Sequence, residues 1–182
     1  MDKNSKKILL TVLCGFVSAL IFGLVFYGLN IFNKYDTRFQ IVLLGLLGSL
    51  MYAFMKYRNM KELIYVAILF LITTAIVRAN TVSFNTLLMD VVLILAVFIS
   101  LYYYKLFIDK NNNIPLFFRA LILMLLFGLT NVLGVVLLML LHRSEISATY
   151  LLFYSRVPAL IGLALGIGFD VYEKFKDKLI VV

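Results

Sequence analysis

From Ile8 to Phe32 the chain runs for 25 residues without a single charged side chain. An α-helix rises about 1.5 Å per residue, so this run is long enough to cross a hydrocarbon core of about 30 Å. The basic start, Met1-Asp-Lys-Asn-Ser-Lys-Lys7, resembles the opening of a secretory signal. The apolar run, however, far exceeds the roughly 7–15 residues of a signal core, and no small-residue cleavage site leads into a polar mature domain. It reads as a retained membrane span.

Five more apolar segments follow, giving expected spans at 8–32, 39–55, 62–78, 84–107, 115–141 and 148–173. Of the 182 residues, 64% are hydrophobic and only 14% charged, too few polar groups to cover a water-soluble surface. Cys14 is the only cysteine, which excludes a disulfide scaffold. The connections are short and carry no low-complexity stretch. The fold class expected is therefore an all-α integral membrane protein, one membrane domain over residues 1–182, built as a bundle of six transmembrane helices.

Orientation follows from the basic residues in the short loops. Lys3, Lys6, Lys7, Lys56, Arg58, Lys61, Lys105, Lys110, Lys174, Lys176 and Lys178 fall on one side, against Lys34, Arg38, Arg78 and Arg143 on the other. Eleven against four places both termini in the cytoplasm, N-in and C-in, in what reads as a bacterial or archaeal cytoplasmic membrane. The net charge of +8 does not imply nucleic acid, because it is spread over four membrane-proximal segments where topology and anionic lipid account for it. The aromatics collect at span ends as interfacial belts, and the expected partners are membrane lipids, with no nucleic acid.

Two details bear on architecture. Asp109-Lys-Asn-Asn-Asn-Ile-Pro115 is a polar turn before a proline, which suits the first turn of a helix, with the asparagines as its caps. Arg38, Gly48, Lys56 and Tyr57-Arg58 match Arg156, Gly166, Lys174 and Phe175-Lys176 at a constant offset of 118 residues, a weak parallel repeat of span 2 in span 6. By that match, residues 157–175 form the last span and 146–155 a separate element on the outer surface, with Pro158 opening the helix.

Ala19 with Gly23 in span 1, and Gly162 with Gly166 in span 6, make faces where helix backbones can approach closely. They serve packing within the bundle or the docking of a membrane-protein partner.

Ionisable groups inside spans need partners or a wet cavity, since each costs at least about 2.5–3.5 kcal/mol at mid-bilayer. Away from the span ends four stand out: Asp90, Arg119, Arg156 and Asp170. Arg119 and Asp170 lie near the inner end, where an interhelical ion pair or a lipid headgroup would satisfy them. Asp90 and Arg156 lie toward the outer end, with Arg38 and Arg78 above them and Asn131 and His142 forming one polar line on span 5. The expected ligand-binding set is Arg156, Asp90, Arg78, Arg38, Asn131 and His142, in which Asp90 orients Arg156 and the surplus of positive charge holds an anionic small molecule or lipid headgroup. A structural Asp90–Arg156 pair is the competing expectation.

One histidine cannot build a His-x-x-x-His zinc site, and no nucleophile elbow, phosphate-binding glycine loop or paired acidic motif is present. No catalytic residue, metal or cofactor is expected. The function expected is a ligand-binding or transport subunit, the alternative being a non-catalytic assembly subunit of a membrane complex. In size and topology the chain resembles the substrate-capture subunits of energy-coupling-factor vitamin transporters. That resemblance implies capture of a small nutrient near the outer surface and coupling to separate membrane and ATPase subunits.

Overall fold

In the computed structural model, residues 3–29, 37–59, 61–77, 84–111, 114–141 and 148–181 are described. They form six helices: α1 (Lys3–Gly28), α2 (Thr37–Tyr57), α3 (Glu62–Val77), α4 (Phe84–Lys110), α5 (Leu116–Leu141) and α6 (Ala148–Val181). No strand occurs among the described residues. α1, α4, α5 and the 155–178 stretch of α6 are long and apolar enough to cross a membrane, while the qualifying stretches of α2 and α3 are shorter.

Local chemistry marks the helix ends. α2 stops where Arg58 N–H bonds the Phe54 carbonyl (2.9 Å) and the Lys105 ammonium of α4 reaches the Met55 carbonyl (2.9 Å), a cation on a helix C-terminus. α3 starts one tight turn later, with Arg58 3.9 Å from Glu62. At the end of α4, both the backbone N–H and the side-chain amide of Asn111 bond the Phe107 carbonyl, each at 3.1 Å. Asn111 thus closes the preceding helix and does not cap the following one, because a side-chain N–H suits a free carbonyl. Asn112 and Asn113 lie outside the described residues. Pro115 immediately precedes α5, its carbonyl accepting from Phe118 and Arg119 (3.0 and 3.3 Å).

The expectation of a separate outer element before the last span is overturned. Residues 148–155 belong to the same helix as 157–175, and α6 runs for 34 residues through both Arg156 and Pro158. A proline removes only one ladder bond, and the apolar residues on both sides of it continue the helical pattern. At the other end α6 also outlasts the expected boundary, carried on by helix-forming Glu and Lys and by a Lys176–Glu173 pair at 3.1 Å.

α6 packs against α5, α1 and α2; α2 also meets α1, α3 and α4; and α4 meets α5 and α3. The core is a layer of Leu47, Met51, Leu101, Leu123, Phe127, Ile161 and Leu165, continued toward one end by Tyr104, Phe169 and Tyr172. Small residues bring the helices together. A Cβ on Gly45 of α2 would lie 2.8 Å from Ala19 of α1, and one on Gly23 would meet Ile41. On α6, the Gly162 and Gly166 positions press on Leu123 and Ala120 of α5. All four residues of the expected small-residue faces therefore touch neighbouring helices of this same chain.

Much of the outside is apolar as well. Leu13, Val17 and Leu24 on α1, Ile64 and Leu69 on α3, and Leu125, Leu129 and Leu133 on α5 are exposed. Such continuous apolar stripes are stable when covered by lipid tails and not by water.

Candidate functional site

α1 begins, α2, α4 and α6 end, and α5 begins at the same end of the bundle, here named the basic end for its lysines. Of the expected ligand set, Asp90, Asn131 and Arg156 lie away from that end. Arg78 and His142 are outside the described residues, and Arg38 sits in the first turn of α2 with its side chain outside them.

The other three are placed separately. Asp90 is 5% exposed on α4 and is not free of interactions. Asn131 is buried on α5, its amide donating to the Phe127 carbonyl of its own helix at 2.8 Å. Arg156 is exposed on α6. The α4–α5 register, set by Ser100 against Thr130 and Val92 against Gly134, puts Asp90 roughly 10 Å beyond Asn131 along the bundle. Among the described residues no close backbone approach joins α4 to α6, and no ion pair joins Asp90 to Arg156.

A groove of about 470 Å³ runs between α4 and α5, lined by Val92, Leu95, Ile99, Leu133 and Leu137. Its one polar neighbour, the Thr130 hydroxyl, is turned inward to Ser100 at 2.7 Å. With no charge or free donor in its wall among the described residues, the groove suits hydrocarbon and not an anion.

Among the described residues a dense polar cluster lies at the basic end, where the sequence predicts an Arg119–Asp170 ion pair or a lipid-headgroup contact. Lys56 of α2 forms an ion pair with Glu173 of α6, and Lys176 bonds the second oxygen of the same carboxylate at 3.1 Å. Tyr57 donates to the Tyr172 hydroxyl at 3.3 Å, and the Lys7 ammonium lies 5.8 Å from the Tyr57 ring centre. Tyr52 stacks on Phe169 at 4.1 Å and leans on Tyr104 at 5.8 Å. One cluster thus ties together α1, α2, α4 and α6. In the sequence Lys56 reads as loop charge and Tyr57 and Tyr172 as interfacial belt, and Glu173 carries no signal at all, since their convergence depends on helix packing that spacing does not reveal.

Asp170 and Arg119 are beside this cluster but not bonded to each other. Arg119 turns its Nε to the Ile114 carbonyl at 3.0 Å. Asp170 is 6% exposed, and its Oδ2 is fully buried without a hydrogen-bond partner. The only other such oxygen among the described residues is Thr11 Oγ1, also near the basic end. No group of three or more His, Cys, Asp or Glu residues that could hold a metal ion occurs among the described residues.

Apolar spanning helices, a lipid-like exterior and buried polar groups at both ends define the class, a helical membrane protein. No family model, curated protein or solved structure matches the chain, so nothing beyond that class comes from a relative.

Proposed function

We propose that this protein crosses a bacterial or archaeal cytoplasmic membrane six times with both termini inside, and that it is a ligand-binding or transport subunit. Its outward end would take an anionic small molecule or headgroup. The observation that supports this most is the state of Arg156. Lys56, Lys176 and Arg58 are each matched to a carboxylate, whereas Arg156, set within an apolar helix, is exposed and carries no ion pair among the described residues. A guanidinium that pairs with no carboxylate among the described residues is suited to receive a carboxylate or phosphate with two parallel donors. Arg38 and Arg78 add charge on the same side by their place in the sequence, and Asn131 and His142 of span 5 supply polar contacts in this reading.

The test is ligand-dependent thermal stabilisation of the protein in lipid nanodiscs, with citrate, inorganic phosphate and phosphatidylglycerol as probes. A hundredfold excess over Kd stabilises by about 2.7 kcal/mol. Wild type should gain with one probe, and Arg156→Gln should lose that gain while staying folded. Stabilisation by none of the three, together with stoichiometric co-purification of a membrane partner lacking an ATPase, would establish the assembly-subunit alternative instead. Orientation is checked by thiol labelling of Ser144→Cys on a Cys14-free background. Labelling from the outside without permeabilisation is expected.

A further inference from the structure

We propose that Asp170 is a proton-binding site in the α5–α6 seam, taking up and releasing one proton toward the basic end, with Arg119 as the counter-ion of its deprotonated form. Gly162, Gly166 and Asp170 recur every four residues and so share one stripe of α6. The two glycines press on α5 so closely that a Cβ at Gly166 would fall 2.6 Å from Ala120 Cα. Asp170, one turn further along, is therefore drawn into the same narrow seam, where its Oδ2 has neither a donor nor solvent.

A carboxylate in that position lacks the hydrogen bonds that would stabilise its charge, whereas a carboxyl group carries its own proton. The charged groups acting on it are Arg119 of α5 and Glu173 of α6 itself, and the buried Tyr104 of α4 is within its electrostatic reach. From α2, Lys56 is committed to Glu173; from α1, Lys7 lies over Tyr57, and Cys14 is half-buried. A metal ion is the poorer occupant, since Arg119 repels a second cation and, among the described residues, no group of carboxylates, thiols or imidazoles surrounds the site. Release of the proton breaks the O–H bond, leaves both electrons on the carboxylate and passes H⁺ to water at the basic end. The new anion then draws the Arg119 guanidinium from the Ile114 carbonyl, coupling protonation to the start of α5.

The experiment uses the full chain in lipid vesicles treated with dicyclohexylcarbodiimide, an apolar reagent that adds to protonated carboxyl groups, with the site mapped by peptide mass. Asp170 should carry the adduct, and its labelling rate should fall about tenfold per pH unit above the titration midpoint. In Arg119→Gln that midpoint should rise, by about one unit for the loss of an opposite charge a few ångströms away. Absence of an adduct on wild-type Asp170, or an adduct formed at a rate independent of pH, would overturn the proton site. An unchanged midpoint in a folded Arg119→Gln protein would overturn the counter-ion role. The wild-type measurement stands even if a variant does not fold.

Discussion

Gly166 of α6 and Ala120 of α5 meet backbone to backbone: a methyl group added to the glycine would lie 2.6 Å from Ala120 Cα and 3.0 Å from its Cβ. Neither helix can yield locally, because Gly162 holds them together one turn away against the Leu123 carbonyl and Phe127. Gly166→Ala should therefore destabilise the bundle by about 1–3 kcal/mol through overpacking. Gly28→Ala is the control, since a Cβ there meets nothing within 4 Å. It should change stability by less than about 1 kcal/mol, in the stabilising direction where helix propensity acts alone. Equal losses in the two variants, measured by unfolding in mild detergent, would contradict the close seam.

Glu173 holds Lys56 with one oxygen and Lys176 with the other, joining α2 to α6 at the basic end. The Lys56 and Glu173 side chains are 26% and 22% exposed, so water screens the pair in part and a fully buried value does not apply. A double-mutant cycle on Lys56→Met and Glu173→Gln should return a coupling of about 1 kcal/mol, diminished by high salt. A coupling near zero would show that the pair is formed but contributes no stability.

Ser100 and Thr130 link α4 to α5 with their hydroxyls 2.7 Å apart; one donates across the pair, and the other accepts there while giving its own proton to a carbonyl of its own helix, Ala96 for Ser100 or Leu126 for Thr130. Interhelical hydrogen bonds in membrane bundles average only about 0.6 kcal/mol, because the separated helices find partners for these groups too. Ser100→Ala should accordingly cost about that much and leave the fold intact, in contrast to Gly166→Ala. A loss above about 2 kcal/mol would mean that the hydroxyl fills space that packing needs.

What could be read from the sequence follows from the kind of pattern each feature has. The helices were legible because a long apolar stretch such as 8–32 needs only its own residues to be recognised, and Gly162 with Gly166 announced a close face by spacing alone. Which helix would fill that face was not legible: α5 covers it, and nothing in α6 encodes that choice. The outer element expected before Arg156 failed because a charged residue and a proline together resemble a helix start, yet each is tolerated inside a helix whose flanks remain helical. At the basic end, Asp170 and Arg119 were recognised as costly, but the lysines and tyrosines around them were indistinguishable from ordinary interfacial residues until the helices met.

The outer polar residues give the last prediction. If Asp90 oriented Arg156 directly, neutralising either would strip the other of its counter-charge, and the two substitutions would be strongly non-additive. Asp90 is buried on α4, Arg156 is exposed on α6, and no ion pair joins them. Asp90→Asn and Arg156→Gln should therefore add within about 0.5 kcal/mol in unfolding free energy, as expected for separated sites. Their effects should also differ in kind. Asp90→Asn alters a buried group that already has partners and should register as lost stability, whereas Arg156→Gln should leave stability within about 0.5 kcal/mol, the usual range for an exposed position. Only the arginine variant should then lose stabilisation by an anionic probe. A coupling of about 2 kcal/mol or more between the two sites would mean that they pair across the bundle, and Arg156 would no longer be available as the anion receptor.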